Sequence, residues 1–161
     1  MAVAFLINND DFLLLKRSES RKFAPGVWAG VGGHVEPDEI NSPYVACTRE
    51  IFEETGISEG NIEGLRLHYI ILRRSDNEIR ISYVYFGHSN TRVIIDSDEG
   101  KLSWIHKDDL FQRNLSVMNK VALSHYINNE STDGKVLVGT LDLSCSTQNV
   151  IWSPILDCEG I

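Results

Sequence analysis

The sequence predicts an α/β fold in which a mixed β-sheet lies between helices. Three observations predict it. Apolar runs rich in Val, Ile, Leu, Phe and Tyr recur at residues 3–7, 12–16, 65–74, 78–87 and 102–105, each bounded by turn residues. Two other stretches, 42–55 and 115–129, carry helical signals instead. The length of 161 residues and a hydrophobic content of 42% suit one domain with one core. Layering helices against a sheet is the arrangement that buries both sets of apolar faces.

The elements follow in order. Residues 3–7 and 12–16 flank the turn cluster Asn8-Asn9-Asp10-Asp11 and read as a hairpin. Residues 17–26 form a polar loop, with Lys16, Arg17, Arg21 and Lys22 close together. A solvated loop accounts for these charges; contact with substrate phosphates is the sharper reading. Residues 27–31 lead into Gly32-Gly33, where glycine lets the backbone turn and approach a ligand closely. Glu36-Pro37-Asp38 is turn chemistry. Ser42 as N-cap and Pro43 at the first helical position start a helix that should run to Thr55, with Gly56 closing it.

Further on, residues 65–74 and 78–87 meet at Ser75-Asp76-Asn77 as a second hairpin. Residues 92–95 read as another strand, 96–100 as an acidic loop, and 102–105 as a short strand containing Trp104. Residues 107–110 look like a helical turn. Residues 115–129 place apolar side chains near helical spacing. The tail returns to β at 135–143 and 148–152, with 128–134 as the flexible connection before it.

The first helix carries an unusual charge pattern. At about 100° per residue, Glu50, Glu53 and Glu54 fall within an arc of about 100°. Ala46 and Cys47 beside them are small, while Tyr44, Val45, Thr48, Ile51, Phe52 and Thr55 lie opposite and are expected to pack. Like charges at this spacing destabilise a helix. Only Arg49 borders the acidic face, so the arrangement asks for a cation.

The stretch from Gly32 to Ile57, GGHVEPDEINSPYVACTREIFEETGI, resembles the Nudix box, G-x5-E-x7-R-E-U-x-E-E-x-G-U with U a bulky aliphatic residue. Gly33 begins it, Glu39 follows, and Arg49 through Ile57 match the second half at every fixed position. Nine residues separate Glu39 from Arg49 where the pattern has seven. The surplus maps to Ile40-Asn41, ahead of the helix cap, so it lengthens the loop and leaves the helix register alone. Pro25-Gly26-Val27-Trp28 and the segment from Glu99 to Trp104 also resemble the family. The resemblance covers roughly residues 1–130.

It implies a Nudix-like α/β/α sandwich with a mixed sheet. Residues 1–134 would be the hydrolase domain and 135–161 a C-terminal β-hairpin extension packed on it. It further implies a Mg²⁺-dependent pyrophosphohydrolase, with Mn²⁺ able to substitute, acting on a small-molecule nucleotide. Gly32 would offer its backbone, and Glu50, Glu53 and Glu54 would be metal ligands, with Glu53 alternatively a base. Arg49 would hold Glu50 in its rotamer. Glu99 is the first choice of base from the acidic loop, with Asp98 and Asp96 behind it. Arg17 and Gly33 are substrate-binding candidates, and His34 occupies a variable position. Nucleoside triphosphates, including oxidised purine deoxynucleotides, are the favoured substrates. Nucleotide sugars or ADP-ribose are the enzyme alternative, and a non-catalytic nucleotide sensor is the alternative of another class.

Bulk properties limit the partners. A net charge of −8 argues against general affinity for nucleic-acid backbones or anionic membranes. No apolar run approaches the roughly 20 residues that span a bilayer. The opening MAVAFLI lacks basic residues and reads as a strand rather than a signal peptide, which favours the cytoplasm. Cys47, Cys145 and Cys158 lack CxxC spacing and read as free thiols. The tail reads as a sheet-edge hairpin, with a homodimer contact or a substrate lid as sharper readings. Trp104 and Trp152 are candidates for stacking a base.

Overall fold

The structure is a computed structural model, and it describes residues 1–20, 24–129, 134–141 and 150–156. Its centre is β1 (Ala2–Asn8), whose side chains are almost all buried. β1 pairs antiparallel with β2 (Asp11–Arg17) through the expected hairpin. It also pairs antiparallel with β4 (Val31–Gly33) and parallel with β6 (Glu78–Ser89). β2 continues to the short β3 (Trp28–Ala29) and to β7 (Gly100–His106). On the other side, β6 pairs with β5 (Ile62–Ser75) and β5 runs parallel to β8 (Leu137–Leu141). β9 (Val150–Pro154) closes that edge antiparallel to β8. Parallel and antiparallel pairs therefore share one sheet, as expected for the mixed α/β class.

Strand alternation divides the core into two layers. Phe5 and Ile7 of β1, Phe12 and Leu14 of β2, and Val84 and Phe86 of β6 face α2 (Val117–Asn128), where Ala122 and Leu123 meet them. Ala2, Ala4 and Leu6, with Leu13 and Leu15, face α1 (Pro43–Thr55), where Ala46, Cys47 and Ile51 meet them. The result is an α/β/α sandwich with a C-terminal β-hairpin added at one edge. Among the described residues no helix is long and apolar enough to cross a membrane.

Several elements differ from expectation. Residues 92–95 form no strand, because the Ile95 amide donates to the Thr55 carbonyl at 2.9 Å, at the end of α1, rather than to a neighbouring strand. The turn at 107–110 extends to a 3₁₀ helix, Lys107–Gln112. Ser42 occupies the N-cap of α1 but its side chain makes no cap bond. Tight turns lead the chain in instead, with Ser42 N donating to Glu39 O at 2.8 Å. Gly56 ends the helix as expected, at φ +73°. Arg21, Lys22, Cys145, Cys158 and the turn at 144–147 lie outside the described residues.

Candidate active site

Gly32 and Gly33 sit on β4, against Val3 and Ala2 at the start of β1. Gly32 has φ +145°, and a Cβ there would run into the Ala2 carbonyl oxygen. A Cβ on Gly33 would overlap the Glu50 carboxyl group. The glycine pair thus lets a strand pass directly beneath α1, and the small Ala46 and Cys47 allow the helix to settle on it.

That proximity corrects the expected division of α1 into a packed and an acidic face. The buried residues are Ala46, Cys47, Ile51, Glu54 and Thr55. Val45 and Phe52 face outward, with Phe52 58% exposed. Glu54 turns inward because a backbone donor waits there: the Gly32 amide donates to Glu54 Oε2 at 2.7 Å. Glu50 is half-buried beside it, and Glu53 lies at the open edge.

The carboxylates differ in their environments. Burial pushes the Glu54 carboxyl up to about 7. The Gly32 amide opposes that rise, the charges of Glu50 and Glu99 add to it, and Arg17 opposes it. Burial also raises Glu50, against the pull of Arg49. Glu39 goes the other way, held down to about 2 by the Arg49 guanidinium and the Glu36 amide.

Arg49 organises the acidic residues. Its Nε donates to Glu39 Oε1 at 2.8 Å and its Nη2 to Glu39 Oε2 at 2.9 Å. Nη2 also donates to the His34 carbonyl at 3.1 Å, while the His34 side chain itself is exposed. Nη1 donates to both Glu50 Oε1 and Glu53 Oε2 at 3.0 Å. The two-residue surplus does not disturb Glu39. Ile40 and Asn41 bulge into solvent as part of the turn, and Glu39 stays buried.

The acidic loop contributes unevenly. Glu99 is close enough for its charge to act on Glu54, and its backbone carbonyl accepts from Ser18 N at 3.0 Å. Asp96 is committed to the loop, where Oδ1 accepts from Leu102 N at 3.0 Å. Asp98 is exposed. Lys16 pairs with Glu19 at 3.6 Å.

Beside Gly32 lies a cavity of about 240 Å³ that sequence reasoning missed. Arg17 borders it, together with Arg73 of β5 and Asn119 of α2. Arg73 Nε and Asn119 Oδ1 are buried without hydrogen-bond partners. Such orphans are uncommon in interiors and point to a missing ligand or water. A signal existed. Arg73 extends the inward row Tyr69-Ile71, and Asn119 precedes Ala122 and Leu123 by three and four residues on the buried face of α2. Trp104 and Trp152 do not border this cavity. Trp104 Nε1 donates to the Arg92 carbonyl at 3.2 Å, and Trp152 packs on Tyr69 and His125.

Among the described residues, no three acidic, His or Cys side chains converge tightly enough to form a ready-made metal cage. Glu50 and Glu53 instead share one guanidinium nitrogen. The donor set still fits a hard divalent cation. It is all oxygen, and Glu50 and Glu54 carry desolvated negative charge that Arg49 answers only in part.

Comparison with known proteins agrees with this geometry. Residues 1–125 match the family model of the NUDIX domain. The chain is 31% identical over 129 residues to the nucleoside triphosphatase NudI of Escherichia fergusonii, covering 74% of this chain and 90% of that protein. Its fold is similar to the MutT protein of Bacillus halodurans, at TM-score 0.65 and 24% identity over 99% and 97% of the two chains. It is also similar to the NUDIX domain of Shewanella oneidensis NrtR, solved with ADP ribose, at TM-score 0.65 and 17% identity over 81% and 86%.

Proposed function

The chain belongs to the Nudix hydrolases, enzymes acting on phosphoric anhydride bonds, and on that premise we propose that it converts nucleoside triphosphates to monophosphate and pyrophosphate. The observation that carries this reading is the pairing of the half-buried Glu50 and buried Glu54 carboxylates with an adjoining cavity that holds an unpartnered acceptor and an unpartnered donor. A triphosphate needs both parts: a place to offset phosphate charge, and a polar pocket to seat its base. The similarity to a nucleoside triphosphatase supports the same substrate class.

In this reading Glu50, Glu53 and Glu54, with the Gly32 backbone, hold Mg²⁺, with Mn²⁺ as a substitute. Bound divalent ions offset phosphate charge and make a water molecule a better nucleophile. Arg49 keeps Glu50 and Glu53 on the site side of α1. Gly33 leaves room for the Glu50 carboxyl. Arg17, at the boundary of cavity and carboxylates, contacts a substrate phosphate. Glu99 accepts the proton of the attacking water. Asn119 Oδ1 and Arg73 Nε meet a donor and an acceptor on the base edge. Residues 1–134 form the catalytic unit, and β8 and β9 of the tail extend its sheet, with Leu141 reaching the cavity wall.

The deciding experiment is a Mg²⁺-dependent hydrolysis screen with product identification. It covers ordinary and oxidised nucleoside triphosphates, nucleotide sugars, ADP-ribose and dinucleoside polyphosphates. Pyrophosphate plus monophosphate from a triphosphate is the expected result. Preferential cleavage of ADP-ribose or a nucleotide sugar to two monophosphates would replace the substrate assignment.

A further inference from the structure

The carboxylate site lies where β1 begins. Near the far end of β1, at Ile7, there is a separate cavity of about 580 Å³. From Ala2 at the carboxylate end to Ile7 is five residues along the strand, roughly 16 Å.

Arg66 and His68 of β5 form one wall of this cavity. Arg66 Nε donates to His68 Nε2 at 3.1 Å. An arginine Nε is always a donor, so His68 Nε2 must accept, and the neutral ring carries its proton on Nδ1. Burial, with the Arg66 charge beside it, holds His68 down to about 4, so the ring is neutral at pH 7. His68 is 5% exposed, and its Nδ1 is buried without a partner. A buried N–H lacking an acceptor is costly. Among the described residues no carboxylate pairs with Arg66. Lys107 on the rim is answered by Asp10 at 2.7 Å, and Asp108 lies 3.4 Å from His106 Nδ1. Of the two cations lining the cavity, Arg66 and Lys107, Arg66 is the one with no carboxylate partner among the described residues.

Aromatic side chains, Phe12, Phe111 and Tyr126, line the same cavity. Tyr126 stacks on Phe86 at 3.8 Å between ring centres and 6° between planes, and Phe111 is exposed on the rim.

We propose that this cavity is a second ligand site, for an oxyanion carried on a planar ring: a carboxylate or a phosphate monoester of an aromatic or heteroaromatic body. Arg66, fixed through Nε, presents its remaining N–H groups as a fork to the oxyanion. The anionic oxygen supplies the acceptor missing at His68, and the ring packs on Tyr126 and Phe111.

The test is side-chain and backbone NMR on the full chain without divalent ions. Benzoate and phenyl phosphate are the probes, and acetate, inorganic phosphate and benzyl alcohol the controls. Benzoate or phenyl phosphate should shift the His68 Nδ1 and Arg66 Nε signals while leaving Gly32 and Glu54 in place; the tighter of the two identifies the natural oxyanion. Arg66→Gln, at an exposed position whose spectrum reports its own folding, should weaken binding at least tenfold, about 1.4 kcal/mol. Phe111→Ala should weaken it less. Three results would overturn the proposal: no shift up to about 10 mM probe, equal binding of acetate or inorganic phosphate, or unchanged affinity in Arg66→Gln. The first would mean that Nδ1 meets only water.

Discussion

Arg49 and Glu39, ten residues apart in the chain, meet through two parallel hydrogen bonds of 2.8 and 2.9 Å. This fork aims the third guanidinium nitrogen at Glu50 and Glu53. Glu39→Gln should therefore lower kcat/KM about 10–100-fold, the usual loss when a residue that orients metal ligands is changed. Arg49→Lys should do the same, because an ammonium cannot make the fork. Steady-state kinetics with circular dichroism checks both; full activity in either would show that the fork does not position the site.

Removing a carboxylate should be harsher. Glu53→Gln or Glu54→Gln should cut turnover by several orders of magnitude while the fold survives. In Glu54→Gln the amide oxygen can still accept from Gly32 N, so the local backbone has its partner. Mg²⁺ should raise the melting temperature of the native protein and do so less in Glu54→Gln. Undiminished turnover in both variants would remove these residues from the chemistry.

The two glycines should fail in different ways. Gly32→Ala places a Cβ against the Ala2 backbone at a φ that disfavours side chains, and should destabilise the fold by about 1–3 kcal/mol. Gly33→Ala displaces only the Glu50 carboxyl, and should leave the melting temperature nearly unchanged while costing about 100-fold in turnover. Paired denaturation and kinetic measurements separate the two.

Neighbouring apolar residues on α1 should also behave oppositely. Ile51→Ala opens a cavity in the core and should cost about 2–5 kcal/mol. Phe52→Ser, at an exposed position, should stay within about 0.5 kcal/mol. Urea titration of both variants tests which face of α1 is buried.

Acid should destabilise the protein through His68. Its folded pKa of about 4 lies below the unfolded value of about 6.5. The unfolded chain therefore takes up a proton first, and the stability present above pH 6.5 is lost as pH falls towards 4. The loss should be about 2–3 kcal/mol. The depressed His125 acts in the same direction, whereas Glu54, raised to about 7, and Glu50, also raised, take up protons first in the folded state and act against it. His68→Gln should flatten the part due to His68 in urea midpoints measured from pH 7.5 to 4.5.

The box was legible because its signals are contiguous. Ser42-Pro43 and Gly56 bracket the helix, and the structure has it at Pro43–Thr55. The continuous apolar runs at 3–7 and 12–16 marked the strands, and the structure sends Phe5 and Phe12 to one layer and Leu6 and Leu13 to the other. The facing of α1 was not legible. An apolar arc suggests burial of Val45 and Phe52, but it carries no information about a strand amide at Gly32 that draws Glu54 inward. Nor was the cavity beside Gly32. Arg73 and Asn119 lie 46 residues apart in the chain, and only the fold shows that both border one space. Residues 92–95 had strand composition, yet the Ile95 amide had a better acceptor at the end of a helix.

The parallel pairing of β1 with β6 also bears on how the protein is made. Ala2 lies opposite Tyr83, and Ile7 opposite His88, so the central strand cannot be completed until some 80 residues more have been synthesised. At about 5–20 residues per second the apolar stretch AVAFLI waits roughly 4–16 s with only β2 and the short β4 available to pair with it. Nascent chains halted before residue 83 should be protease-sensitive and bound by chaperones, and those extended past β6 should acquire resistance in one step. Vectorial synthesis thus leaves the most buried strand of the finished enzyme as the longest-exposed hydrophobic segment of the growing one.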